Sequence, residues 1–227
     1  MAAVELDVFE KMARKNYKRW FIPLVDRVLA QTDLRRNAVI VDIGSGPGFL
    51  VREIAKRSKS FTVIGFDRSP HALKLGKKNC INLRNVKFIR GNAMNIPLKA
   101  RSVDLVISKD SFHELGNPLN VLREMLRIIK PGGYLFIQDL RRDLPQYLIQ
   151  RAEPRESILQ KLQYYSTRAS YTKKEVREVL KKLGVKPRYL ATPYMTASTA
   201  RRYVRDGVNP TLLKEALQAR YNLMIQK

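Results

Sequence analysis

Three glycines and an aspartate are spaced as a site for a nucleotide-type ligand would need them. Ile40–Gly48 reads IVDIGSGPG, so a β-branched apolar run meets Gly44, Gly46 and Gly48. Leu50, Val51, Ile54 and Ala55 then recur at helical spacing. A glycine-rich turn lets backbone approach a ligand closely, and the helix behind it offers free N–H groups and the positive end of its dipole. Asp67 ends the next apolar run, where a carboxylate can accept the hydroxyl protons of a ribose. The loop is not a P-loop, which needs G-x-x-x-x-G-K-S/T. It also departs from the dinucleotide fingerprint: the third glycine comes one place early, and Phe49 takes the sixth position.

A second set of residues could move protons. Asp110, His113 and Glu114 follow the fourth apolar run, and Asp139 follows the fifth. His113 has the unperturbed pKa best suited to a general base, with Asp110 as the carboxylate candidate beside it. His71, next to Pro70 at a helix start, reads as a surface residue. Cys80 lies in a helix away from the strand ends, which argues against a cysteine nucleophile. Two histidines and one cysteine give no visible metal cluster.

Alternating strands and helices must position these groups. Short β-branched runs predict strands over 37–43, 61–66, 86–90, 103–108, 134–138, 185–191 and 221–226. Ser69-Pro70 and Asn117-Pro118 predict helix starts. Leu122, Met125, Leu126 and Ile129 mark one helical face, stopped by Lys130-Pro131-Gly132-Gly133. Thr172 and Glu175 form a capping box before Val176, Val179, Leu180 and Leu183. This pattern predicts an α/β fold with a parallel sheet covered on both faces. Residues 1–36 and 141–170 fall outside the alternation and read as helical additions that close over the site. Residues 193–216, with Arg201, Arg202 and Arg205, suggest a further helix.

These motifs resemble, in order and spacing, those of class I S-adenosylmethionine-dependent methyltransferases, close to the small group that includes quinone-biosynthesis methyltransferases. VDIGSGPG (41–48), GFDRS (65–69), GNAMNIP (91–97), VDLVISKDSFHEL (103–115) and IIKPGG (128–133) carry the resemblance, which covers about residues 35–140. It implies a Rossmann-like αβα sandwich with a seven-stranded, mostly parallel sheet whose last strand is antiparallel. It divides the chain into an N-terminal helical segment, 1–36, and a methyltransferase domain, 37–227, with 141–170 as an insertion. It implies S-adenosylmethionine as cofactor. Gly44, Ser45, Gly46 and Gly48 would approach the methionine part, and Asp42 would orient that loop. Asp67 would hold the ribose, and Arg68 would lie along the adenine. Asn92, in place of the family's usual aspartate, and Ala93 would meet the adenine edge. Ser108 and Lys109 would line the floor.

Composition bounds the acceptor without naming it. The 227 residues are 44% hydrophobic and 28% charged, as in a globular protein. The acidic first ten residues do not read as a signal peptide, and no apolar run reaches the ~20 residues of a membrane span, so the expectation is a cytoplasmic protein. The net charge of +24 is unusual, and half of the excess falls in residues 141–227. A small-molecule acceptor is favoured, because no N-P-P-Y/F or D-P-P-Y/F follows the fourth strand. RNA is the alternative, given the charge and the tyrosines Tyr164, Tyr165, Tyr171, Tyr194 and Tyr203. A non-catalytic binding module is the third reading.

Overall fold

The computed structural model describes residues 3–144, 158–193 and 218–227. The N-terminal segment forms α1 (Ala3–Lys15), α2 (Tyr17–Trp20) and α3 (Ile22–Ala30). The alternating body follows: β1 (Val39–Ile43), α4 (Phe49–Arg57), β2 (Thr62–Asp67), α5 (Pro70–Asn79), β3 (Val86–Arg90) and β4 (Val103–Lys109). After a short 3-10 turn, Phe112–Glu114, come α6 (Pro118–Ile128) and β5 (Ile129–Leu140). The last elements are α7 (Ile158–Ala169), α8 (Lys173–Lys182), β6 (Tyr189–Ala191) and β7 (Arg220–Gln226).

The strands make one sheet in the order β3-β2-β1-β4-β5-β7-β6. The first five are parallel, and β7 runs antiparallel between β5 and β6. Strand order reverses between β1 and β4, which opens a crevice at their carboxyl ends. The central strands are buried on both faces, and their side chains divide with period two. Leu135, Ile137, Tyr221, Leu223 and Ile225 join α6 and α8 in one core. Tyr134, Phe136 and Met224 join α3 and α4 in the other. On α6, Val121, Leu122, Met125 and Ile128 are wholly buried, each side chain stabilising by about 1.5–3 kcal/mol.

Local chemistry sets the helix ends where the sequence places them. The Ser69 hydroxyl accepts from Ala72 N, and Asn117 Oδ1 accepts from the N–H groups of Leu119 and Asn120. Both halves of the Thr172–Glu175 box are formed.

Three expected elements differ. The fifth strand begins at Ile129, because Ile129 pairs with Val103 across an irregularity before Tyr134 pairs with Leu105. The strand expected over 185–191 shrinks to Tyr189–Ala191, which among the described residues pairs only with β7. Of the helical stretch expected over 141–170, α7 is the described part, and the helix expected over 193–216 lies outside the described residues.

Candidate functional site

The glycine loop sits at the end of β1 and is pinned to the end of β2. The N–H groups of Gly44 and Ser45 both donate to the Phe66 carbonyl, at 2.8 and 3.1 Å. Gly44 has φ +76°, and a Cβ there would lie 2.5 Å from Ser111 Oγ, so both backbone and space require glycine. Gly48, φ +76°, opens α4 from the left-handed region, and a Cβ there would lie 3.0 Å from the Gly76 Cα. Asp67 holds the loop from the neighbouring strand. Its Oδ2 accepts from Gly46 N and its Oδ1 from Ser69 N, both at 2.9 Å.

These groups open onto one cavity of about 510 Å³. Asp42, Ser45 and Asp67 line one wall, and Arg68, Asn92 and Ala93 line another. Asp42 is 2% exposed. Burial, reinforced by the Asp67 charge and opposed by Lys109, pushes its carboxyl up to about 8. The buried Ser45 hydroxyl has no hydrogen-bond partner among the described residues. Asn92 Oδ1 accepts from Met94 N at 3.0 Å, which shapes the turn after β3.

The floor comes from the end of β4. Ser108 is wholly buried, and its hydroxyl lies 2.9 Å from that of Ser111, which in turn donates to the Ile43 carbonyl. Ser111 thus stands at the cavity where the sequence placed Ser108. Lys109 Nζ pairs with Asp110 and stands 5.7 and 5.5 Å from the ring centroids of Trp20 and Phe21. Arg220 from β7 donates to Asp110 Oδ1 at 2.8 Å. Burial alone would raise the Asp110 carboxyl, but Arg220 and Lys109 outweigh it and hold it far below the usual carboxylate range. Such a carboxylate is a feeble proton acceptor, and Asp110 anchors two cations, Lys109 and Arg220.

His113 sits behind the cavity wall. Its side chain is 1% exposed. The fully buried Asp139 takes its backbone N–H on one carboxylate oxygen and Nδ1 on the other, each at 2.8 Å. Burial lowers the imidazole pKa, but Asp139, Glu114 and Asp110 raise it further, so the net shift is upward. Glu114, the next residue on the 3-10 turn, faces the cavity.

The roof comes from the N-terminal segment, through Leu6, Phe9 and Phe21. His71 Nε2 lies 2.8 Å from Asp7 Oδ1, and Arg14 donates to Asn79 Oδ1 at 2.7 Å, so α1 is tied to α5. His71 is a partly exposed docking residue. The sequence patterns did not single out Ser111 or Arg220. Ser111 was within reach, since it follows Lys109-Asp110 directly, whereas nothing local marks Arg220 as the partner of Asp110.

The chain matches the family described as "Methyltransferase domain" over residues 34–184. It is 31% identical over 117 residues to a malonyl-[acyl-carrier protein] O-methyltransferase of Marinomonas sp. (strain MWYL1), covering 52% of this chain and 43% of that protein. It is 31% identical over 108 residues to a demethylmenaquinone methyltransferase of Staphylococcus aureus (strain JH9), covering 47% and 45%. The matches therefore span less than half the length of these curated relatives. A crystal structure of a SAM-dependent methyltransferase from Aquifex aeolicus superposes with a TM-score of 0.69 at 18% identity, over 99% of this chain and 98% of that one. That likeness establishes the seven-stranded Rossmann-like fold.

Proposed function

The chain belongs to the methyltransferase-domain family, and from that premise we propose that it transfers the methyl group of S-adenosylmethionine to a small-molecule acceptor. The observation that carries this reading is a single cavity joining the glycine loop, Asp67 and the end of β4 beneath an apolar roof.

The residues fit the cofactor. Asp67 meets backbone N–H groups with one lone pair on each oxygen, which leaves the others for ribose hydroxyls. The Ser45 hydroxyl, which has no hydrogen-bond partner among the described residues, and the backbone of Gly44, Gly46 and Gly48 suit the methionine portion. Asp42 is the anion for its ammonium group, which would offset the cost of ionising a buried carboxylate. Arg68 and Ala93 line the cavity where they would flank the adenine and meet its edge, and Asn92 retains a lone pair that would accept from its amino group. Ser108 acts from below, through Ser111. Lys109, held by Asp110 and the faces of Trp20 and Phe21, forms the floor.

When bound, the cofactor supplies a methyl group on a positively charged sulfur. The chain's own task is to align the acceptor atom in line with that methyl group, exclude water and receive a proton. Residues 1–36 would serve as a closing segment over a domain that runs from 37 to 227, and the second expected closing segment, 141–170, is described only at 141–144 and 158–170. Among the described residues no helix is long and apolar enough to cross a membrane, and we place the protein in the cytoplasm. The net charge of +24 favours RNA as the second acceptor class.

Calorimetry with S-adenosylhomocysteine tests the cofactor, and no detectable binding would end this reading. Methyl transfer from labelled cofactor, run in parallel on a metabolite extract and on total RNA, tests the acceptor. Label is expected in the metabolite fraction. Protein-free RNA that keeps its label, and loses it with Asp67→Ala, would reverse the preference. Label in neither fraction, despite cofactor binding, would support the binding-module reading.

A further inference from the structure

We propose that Glu114 is the proton-accepting residue of the site, positioned by His113 and Asp139, and that the methyl acceptor is therefore a hydroxyl or amine that must shed a proton. The inference rests on the cofactor reading above.

The 3-10 turn sends neighbouring side chains to opposite sides. Glu114 reaches the cavity shared by Asp42 and the glycine loop, while the His113 ring turns into the interior. One buried carboxylate, Asp139, fixes that ring by accepting from Nδ1 on one oxygen, while its other oxygen accepts from the His113 backbone N–H. With Nδ1 committed to Asp139, Nε2 is the edge left to act. It is buried and has no hydrogen-bond partner among the described residues. The Glu114 Oε1 atom lies 3.8 Å from it, close enough for charge interaction but longer than a hydrogen bond. A buried imidazole edge aimed at a cavity-facing carboxylate, with a second carboxylate behind, is an arrangement that orients Glu114.

The step balances simply. A lone pair on the acceptor oxygen or nitrogen forms the bond to the methyl carbon. The carbon–sulfur bond breaks with its electron pair going to sulfur, which becomes neutral. The O–H or N–H proton passes to a Glu114 carboxylate oxygen. An acceptor that is already a carboxylate needs no such base and would be repelled by Glu114.

Binding tests this without knowledge of the acceptor. The probe is the cofactor analogue in which an amine-bearing carbon replaces the methyl-bearing sulfur, compared with S-adenosylhomocysteine by calorimetry. The wild type is expected to prefer the amine at least about tenfold, as one charge-assisted contact would give. Glu114→Gln should keep its affinity for S-adenosylhomocysteine and lose most of that preference, and Glu114→Asp should retain part of it. An unchanged preference in Glu114→Gln would overturn the proposal. Absence of binding by both ligands to the wild type would instead overturn the cofactor reading.

Histidine NMR supplies a second readout, with only His71 and His113 to resolve. Charged groups from several elements bear on His113: Asp139 on β5, Asp110 at the end of β4, and Glu114 on its own turn. Arg220 and Tyr221 on β7, together with Tyr171, face Asp139. Against that fixed background, Glu114→Gln should lower the His113 pKa measurably. An unmoved value would show that the two side chains do not communicate, and would refute the positioning role.

Discussion

Asp67 has two tasks that one substitution separates. Its carboxylate supports the loop through Gly46 and Ser69, and in our proposal it also holds a ribose. Asp67→Ala is expected to weaken S-adenosylhomocysteine binding by about 1–3 kcal/mol, roughly 5- to 150-fold by calorimetry. Asp67→Asn, which keeps one acceptor oxygen, should lose less. Asp42 gives a prediction in pH. Its folded carboxyl titrates at about 8, above the ordinary carboxylate value of the unfolded chain. The folded state therefore binds the extra proton between those values, so this group makes stability fall as pH rises from about 4 to 8. Asp42→Asn should flatten that decline when the melting temperature of the cofactor-free protein is followed from pH 5 to 8. A slope identical to wild type would show that Asp42 is ionised throughout. The loop and Asp67 were legible in the sequence because their chemistry is local: a strand end, a turn, a helix start. The state of Asp110 was not legible. Its partner Arg220 lies 110 residues further on, and only the sheet order brings the two together.

At the scale of elements, the caps carry a clean test. Thr172→Ala removes the side-chain half of the capping box that opens α8, the bond from Glu175 N to Thr172 Oγ1, and leaves the bond from Thr172 N to Glu175 in place. It should cost about 1 kcal/mol and lower the melting temperature by about 2–4 °C, with cofactor affinity unchanged. α1 carries the opposite test, because its loss should alter the site more than the core. Leu6 and Phe9 roof the cavity, and the tie from Asp7 to His71 is a partly exposed pair worth little by itself. Phe9→Ala is therefore expected to weaken S-adenosylhomocysteine binding several-fold while His71→Ala changes it less than about twofold. Hydrogen exchange should show α1 protected by ligand in the wild type, and equal exchange with and without ligand would count against a closing role. Helix starts were legible because Ser-Pro, Asn-Pro and T-x-x-E act within one turn. The early start of β5 was hidden, since Lys130-Pro131-Gly132-Gly133 reads as a stop whether or not Ile129 has already paired with Val103.

For the whole molecule, fold and charge answer different questions. The alternation of apolar runs foretold the layers, but no local pattern could show β7 lying between β5 and β6. Charge did not shape the sheet, yet it governs what the surface attracts. A net +24 should bind polyanions at low salt, with affinity falling steeply as salt rises. Binding of S-adenosylhomocysteine inside the cavity should change less than about threefold over the same range, because a roofed site is screened less than an exposed surface. A cofactor affinity that falls in parallel with RNA affinity would show that the cavity is not the isolated compartment described here.

The late position of β7 has a consequence for how the protein is made. Until Arg220–Gln226 has been synthesised, β5 is the outer edge of a sheet of at most five strands, with its ladder unpaired. Asp110 at that stage lacks Arg220, and Tyr134–Leu140 lies open to other chains. A ribosome-bound chain thus spends the translation of some eighty residues with an adhesive flank, at roughly 5–20 residues per second. Nascent chains of this protein are therefore expected to lean on chaperones longer than a sheet built in sequence order would.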